Sequence, residues 1–397
     1  MVGLRVLAYR ILHGIYKYFC ILFRSQKYPL IKNVSEAFAD QRRILPAGWV
    51  QCKFPEVYNL QRAFSGDFYM NELVIYSIPN ASISHNSDLV LTDKGCFWEK
   101  SFRNDFSAEV PLDTPLFKYN TEEVLVRKYK KEVFIDGVSI SLVGVHSHIW
   151  AHFVVSYLPK LYYAGENGYL NDRITLLTPK YGDAQLREMI YEYISEFPLV
   201  NWIEIAPNCD YKCERLLYMP SLCVLGDHSD YILPSMGIFP PIVGQLLKEH
   251  LIDHFSQLAS NCASEIAPKL FIVRRSAYRT IMNNSELEHY FELKGFKMID
   301  PGRMSFIEKV SLFSNADVIV GPLSGGFINT LFCKKGAKIL GFSTLPRTIE
   351  SYLPFIQSIS GFDLLLVTGE DYSRTIHPDY YVPIERITAA YDVLMSR

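Results

Sequence analysis

Asp317-Val-Ile-Val-Gly-Pro-Leu-Ser-Gly-Gly-Phe-Ile-Asn329 is the stretch on which the fold turns. Its apolar run Val318 to Val320 reads as a short buried strand that ends at Gly321-Pro322. Ser324, Gly325 and Gly326 follow, and then an apolar stretch, Phe327 to Cys333, that reads as a helix. Glycines at such a junction let the backbone turn sharply and bring bare N–H groups close to a ligand. A helix that starts there aims its free N–H groups and positive dipole end at the same spot, so phosphate is the ligand it suits. A plain strand-to-helix turn, in which glycine serves packing alone, is the other reading of these residues.

Outward from this corner, strands and helices alternate. Lys269 to Val273 is a β-rich run, followed on a polar turn by Arg274, Arg275 and Arg279. Ser285 to Leu293 is predicted as a helix with Ser285 as its N-cap and Glu288 at capping-box spacing. Gly295 closes it and Phe296 to Ile299 is the next strand. Ser305 opens a further helix to Phe313, with Glu308 three residues on, and Ala337 to Phe342 is a fourth strand. Strands separated by helices of about 10 residues predict right-handed crossovers and a parallel sheet. Ligands of open sheets bind beyond the carboxyl ends of the strands. The arginine turn and the Ser-Gly-Gly corner both lie at such ends, which makes them a candidate diphosphate clamp.

Upstream the signals are shorter. Residues 45 to 145 alternate β-like runs with turn clusters at Pro79-Asn-Ala-Ser and Thr92-Asp-Lys-Gly95, which predicts a β-rich N-terminal portion. Val133 to Val143 reads as a hairpin about Asp136-Gly137. It leads into Gly144-Val-His146-Ser-His148-Ile-Trp150-Ala-His152, after which the pattern is helical to Ala164. A strand at Arg173 to Leu177, a helix at Ala184 to Ile194 and a strand at Trp202 to Ile205 make residues 140 to 230 a second α/β unit. Imidazoles two and four residues apart can converge on a metal, can act as a general base near pH 7, or can cap a helix or sit hydrogen-bonded in the core.

Several of these pieces together resemble glycosyltransferase family 61, which includes bacterial capsule and cell-surface polysaccharide transferases and eukaryotic xylosyl- and N-acetylglucosaminyltransferases. The resemblance covers about the C-terminal two-thirds of the chain. It rests on Phe271-Ile-Val-Arg-Arg275, Arg279-Thr-Ile-Met-Asn283-Asn284-Ser-Glu286, Gly295-Phe296 with Asp300-Pro301, the block from Gly321 to Phe332, and His152-Phe-Val-Val-Ser-Tyr-Leu-Pro-Lys-Leu161. The chain departs from the family in having Leu323-Ser324-Gly325 where His-Gly-Ala is usual, and Ser156 where an acid is usual. The resemblance implies a mixed α/β fold of GT-B type, two Rossmann-like lobes facing a cleft. It also implies an inverting, metal-independent transfer from a nucleotide donor, with a uridine diphosphate sugar expected, to a glycan or glycolipid acceptor of cell-surface or capsular polysaccharide. No cofactor is then called for, since the sugar nucleotide is a substrate. Arg274, Arg275, Arg279, Ser324, Gly325, Gly326 and Asn329 are the expected donor contacts. His152 holds the family's histidine position and is the first candidate base, with His148 and His146 beside it.

Composition sets the limits. A chain of 397 residues exceeds what one core usually fills, and 49% hydrophobic residues suffice for two. The expected domains are 1–28, a basic amphipathic membrane-associating helix; 29–265, an acceptor-side α/β domain; 266–375, a nucleotide-sugar-binding Rossmann-like domain; and 376–397, a C-terminal helix packing back on the N-terminal domain. A net charge of −2 argues against nucleic acid as the main partner. Tyrosine and phenylalanine, 26 and 25, fill cores and supply faces on which sugars stack. The eight cysteines show no zinc-ribbon spacing and are expected as buried thiols, or as a disulfide if the chain faces an oxidising lumen. Met1 to Tyr28 carries Arg5, Arg10, Lys17, Arg24 and Lys27 without one acid, in apolar runs too short to span a bilayer. An interfacial helix on an anionic leaflet, on the inner, cytoplasmic face of the membrane, is expected from it. Two functional alternatives stand beside the transferase: a non-catalytic carbohydrate-binding or assembly subunit, and a metal hydrolase using the histidines.

Overall fold

The computed structural model describes residues 25–53, 56–58, 65–70, 72–98, 115–119, 122–180, 183–221, 241–250, 255, 267–275, 280–343, 363–371 and 379–397. Arg279, residues 1–24 and Cys20, Cys223 and Cys262 lie outside them. The fold is mixed α/β, built on two large sheets.

The first sheet runs in the order β8 (Val200–Ile205), β7 (Ile174–Pro179), β6 (Lys131–Ser141), β9 (Cys209–Tyr218), β3 (Leu73–Ser84), β4 (Val90–Thr92) and β5 (Gly95–Phe97). β1 (Gln41–Leu45) also pairs with β3. Strands β6 to β9 are mutually parallel, whereas β3, β4, β5 and β1 join antiparallel. Helices α1 (Leu158–Glu166) and α2 (Ala184–Ile194) make the crossovers, and α3 (Pro241–Lys248) packs on α1.

The second sheet is wholly parallel, in the order β11 (Lys297–Ile299), β10 (Lys269–Ile272), β12 (Val318–Pro322), β13 (Lys338–Ser343), β14 (Asp363–Thr368) and β2 (Glu56–Val57). Its helices are α4 (Asn284–Leu293), α5 (Phe306–Asn315) and α6 (Ile384–Ser396). All five residues of β12 are buried, as a strand covered on both faces requires. Ser305 caps α5 through the full capping box with Glu308 that its spacing predicts. One apolar cluster extends from Ile140 and Leu176 of the first sheet through Trp150, Phe306 and Phe332 to Ile319 and Leu366 of the second. The two sheets therefore share a core.

Several expectations are corrected. Asp136-Gly137 does not turn a hairpin, because β6 continues through it with β9 alongside both halves. The pair forms a bulge instead: two residues stand opposite Glu214 alone, Gly137 adopts φ +73°, and its N–H donates to the Glu214 carboxylate at 2.7 Å. The Pro79-Asn-Ala-Ser cluster likewise lies inside β3, with Asn80 taking the left-handed conformation (φ +51°) opposite the same point of β9. Helix α4 starts one residue early, so Ser285 is inside it and Asn283 is the cap position. Residues 25–28 are not helical: Ser25–Pro29 is a strand antiparallel to Glu123–Arg127, with Lys27 and Glu123 paired at 2.7 Å. The C-terminal helix α6 packs on β13 and β14, not back on the N-terminal portion, because its apolar face continues the second sheet's core. Arg397 ends it by bonding Asp363 and Glu56, and Glu56 itself lies on β2 of that sheet. Among the described cysteines, Cys96, Cys209, Cys213 and Cys333 are buried free thiols, and burial pushes Cys96 up to about 12 and Cys213 to about 11.

Candidate active site

In the second sheet β10 lies between β11 and β12, so the strand order reverses between β10 and β12. That reversal is the switch point, where two crossovers leave in opposite directions and open a crevice at the carboxyl ends. Arg274 and Arg275 follow β10, and Ser324 to Gly326 follow β12. The structure therefore brings the arginine turn and the glycine corner to the two sides of one crevice.

The corner begins a 3-10 helix, Gly325–Phe332, tighter than the α-helix expected from Phe327. Ser324 is its N-cap in extended conformation and its hydroxyl makes no capping bond. The glycines here divide into two kinds. A Cβ on Gly321 would stand 2.7 Å from Ile272 Cβ, and one on Gly341 would stand 2.9 Å from Leu323 Cδ2, so packing alone demands both. Gly325 and Gly326 are different. Neither has a left-handed φ, and an added Cβ would meet nothing nearer than Ala151 Cβ at 3.8 Å or Ile272 and Pro301 at 3.5 Å. The protein does not itself require glycine at these two positions, and Gly325 is exposed. Asn329 does not face solvent. Fully buried, it donates from Nδ2 to the Gly326 carbonyl at 2.8 Å and so braces the corner from below.

The arginines do not act alike. Arg275 forks onto Glu288 of α4, its Nη2 at 3.0 Å, and this bond holds its guanidinium charged. Glu288, expected as a capping acid, is instead the anchor of this arginine and also accepts from Asn284 at 2.6 Å. Arg274 is half-buried at the strand end.

Facing the corner is the end of β6. The turn Gly144-Val-His-Ser places Ser147 N–H on the Gly144 carbonyl at 3.1 Å and Ile149 N–H on His146 carbonyl at 2.9 Å. A short helical turn, Trp150–His152, then passes into a π-helical turn, Phe153–Tyr157, before α1. Such π turns are uncommon and concentrate at functional sites. Tyr157 donates from its hydroxyl to Val145 carbonyl at 2.7 Å, and its ring fills the space a side chain on Gly144 would need. Ala151 is the residue against Gly325, so the histidine-bearing turn closes directly on the glycine corner.

His146, His148 and His152 come together here. The His146 ring lies 5.0 Å from that of His152 and 6.4 Å from that of His148. Among the described residues, no group of three or more His, Cys, Asp or Glu is arranged to hold a metal ion. His146 itself adopts φ +59°, a conformation that costs a bulky residue about 1–3 kcal/mol. Asn86, between β3 and β4, offsets part of this. Its Oδ1 accepts the His146 backbone N–H at 3.2 Å and also meets His148 Nδ1 at 3.2 Å. A backbone N–H can only donate, so the Asn86 atom is the oxygen and His148 Nδ1 must carry the proton. In the neutral ring the lone pair is then on Nε2. Nothing in the sequence marks Asn86, which is 7% exposed and 60 residues from the turn; only its left-handed φ of +56° distinguishes it in the fold.

The seam between the sheets is tied close by. Gln185 of α2 donates to the Met304 carbonyl at 2.9 Å, and Glu188 accepts the Phe306 N–H at 2.7 Å. Lys309 of α5 is 2% exposed, with its ammonium 4.3 Å over the Trp150 ring. Burial lowers it to about 8, against the opposing pull of Asp183, Glu188 and Asp300. Sequence periodicity places Lys309 on an ordinary helix face and does not single it out.

Comparison with known proteins places part of this chain. The search of curated proteins finds no match. Among solved structures, the dodecameric iron-containing heptosyltransferase TibC, solved with ADP-D-beta-D-heptose, is similar at 13% identity over 81% of this chain and 94% of that one, with a TM-score of 0.32. The TibC structure from enterotoxigenic E. coli H10407 gives 14% identity, 82% and 85% coverage, and a TM-score of 0.29. Likeness of that degree carries no weight for the geometry above. The family model for Glycosyltransferase 61 matches residues 150–340, from Trp150 beside the histidines to β13, taking in the arginine turn and the glycine corner. Residues 150–340 of this chain thus belong to glycosyltransferase family 61, and the protein is a glycosyltransferase.

Proposed function

We propose that the enzyme is an inverting, metal-independent glycosyltransferase of GT-B type that moves a sugar from a nucleotide donor, a uridine diphosphate sugar, to a glycan or glycolipid acceptor. One observation carries this reading: the histidine turn meets, through Ala151 and Gly325, a switch-point crevice flanked by Arg274, Arg275 and two glycines that packing does not require. The donor diphosphate lies across the crevice. Arg274 and the N–H groups of Ser324 to Gly326 neutralise it as its charge grows, with Arg275 joining once it leaves Glu288. An acceptor hydroxyl attacks the anomeric carbon from the opposite side. The new C–O bond forms as the bond to the diphosphate oxygen breaks, the leaving group keeps that electron pair, and the hydroxyl proton passes to a histidine. His152, next to Ala151, is the proposed base, and His148, whose Nδ1 carries the proton and whose Nε2 is the acceptor nitrogen, is its nearest rival. The same reading places the enzyme in cell-surface or capsular polysaccharide synthesis on the inner face of the membrane, anchored by its basic first residues.

A thermal-shift screen against a panel of sugar nucleotides tests this directly, because a ligand of the folded state raises its melting temperature by mass action. A uridine diphosphate sugar should give the largest shift and should be slowly hydrolysed. Glycan binding without any nucleotide binding would point to a carbohydrate-binding subunit instead.

A further inference from the structure

A cavity of about 290 Å³ opens on the first sheet at the amino end of β7, where Arg173 precedes the strand. The histidines lie at the carboxyl end of the same sheet, and the six residues of β7 alone span about 20 Å. Its floor is apolar, from Ile75, Ile174 and Leu217, while Arg42, Arg173 and Arg215 form its walls with Tyr169. These arginines differ from most others among the described residues. Elsewhere among the described residues, Arg43, Arg187, Arg275, Arg303, Arg386 and Arg397 are each held by a carboxylate. Among the described residues Arg42 bonds only the Asn167 carbonyl, at 3.4 Å, and lies 5.8 Å over the Tyr169 ring. Arg173 and Arg215 have no carboxylate within ion-pair reach among the described residues. Asp40 and Asp172 stand on the same rim without bridging to any of the three.

Three guanidinium groups around a concave apolar floor, left unneutralised by two carboxylates on the same rim, suit a ligand that brings its own anion. The carboxylates and the tyrosine face suit the rest of it: acids accept hydrogen bonds from hydroxyls, and a flat aromatic receives a sugar ring. We propose that this groove is a second binding site, for an anionic carbohydrate. It holds a carboxylate- or phosphate-bearing stretch of the acceptor glycan at the end of the sheet away from transfer, a role that rests on the transferase reading above. Arg173 and Arg215 grip the anion and Tyr169 stacks on the ring.

Titration calorimetry on the full chain tests it with tetragalacturonate and glucose 6-phosphate as anionic probes and maltotetraose as the neutral control. Arg173→Ala/Arg215→Ala should weaken an anionic probe by about tenfold or more, with an unchanged melting temperature because both side chains are exposed. Tyr169→Ala should weaken it further, and added salt should weaken binding to the wild type. Tetragalacturonate binding alone assigns carboxylate as the anion, and glucose 6-phosphate binding alone assigns phosphate. Equal affinity in wild type and double variant, equal binding of maltotetraose, or no binding of either anionic probe overturns the proposal. Binding of uridine diphosphate, measured in parallel, should be the same in both proteins. Its absence from the wild type would count against the transferase reading while leaving the groove to be judged on its own probes.

Discussion

Two strand-to-helix junctions face one another in this molecule, and they are built in opposite ways. At the glycine corner the backbone is relaxed: Gly325 and Gly326 have ordinary conformations and room for a methyl group. At the histidine turn it is strained and over-determined, with His146 in the left-handed region, a π-helical turn after His152, and Asn86 and Tyr157 bonding into the turn from elsewhere. A surface that only has to let a ligand approach needs space and bare N–H groups. A group that has to take a proton needs its ring fixed to within a fraction of an ångström, and that takes bonds from several segments.

The sharpest way to break this contrast is at the histidines. His152→Ala should lower turnover by about 10²–10⁴ with donor affinity nearly unchanged, since a base acts in the transition state. Steady-state kinetics on the true acceptor with parallel calorimetry checks it. If His148→Ala shows that loss and His152→Ala does not, the base is the ring whose Nδ1 Asn86 holds. In that case Asn86→Leu should shift the pH–rate profile without altering donor binding.

Lys309 tests how much strain the seam beside the turn carries. Its folded value of about 8 lies below the ordinary 10.5, so burial disfavours its charge. Below pH 8 both folded and unfolded chains hold the proton and the full cost is present, up to about 3 kcal/mol. Between pH 8 and 10.5 the unfolded chain binds more protons, so stability rises with pH and the cost fades. Lys309→Met should therefore be more stable than the wild type at pH 7, with the gap closing as pH climbs through that window. Denaturant melts at pH 7 and pH 10 measure it. A destabilised variant at both values would mean that the cation over Trp150 contributes more than its burial costs.

The two kinds of glycine give the next test. Gly321→Ala should cost about 1–3 kcal/mol of stability, because its Cβ meets Ile272 across the sheet. Gly325→Ala and Gly326→Ala should leave the melting temperature nearly unchanged while weakening the sugar nucleotide. Unaltered nucleotide binding in both would reduce the corner to a structural turn.

The smallest effects separate the two arginines. Arg274→Ala should weaken donor binding by about 1.5–3 kcal/mol, as loss of a charge-assisted contact does. Arg275→Ala should cost less than about 1 kcal/mol, since its exposed guanidinium already has Glu288 and must give it up to bind phosphate. Glu288→Gln should then strengthen nucleotide binding slightly. Equal losses in the two alanine variants would show that the Glu288 pair opens freely.

What the chain's own order determined was local. The alternation of apolar runs with capped helices announced the parallel sheet, Ser305 and Glu308 announced a capping box, and the Arg-Arg and Ser-Gly-Gly turns marked two strand ends that flank one crevice. Each depends on neighbours a few residues apart, which periodicity and capping chemistry can read. Packing decided the rest. Asp136-Gly137 became a bulge because β9 pairs with both halves of β6; β2 joined the second sheet from the N-terminal portion; and Arg275 turned to Glu288. Asn86 reached the histidine turn, Lys309 lay over Trp150, and of the corner's glycines only Gly321 proved to be demanded by its neighbours. Every one of these is set by segments that meet only once the chain has folded, where a side chain's role depends on what it touches rather than on what it is.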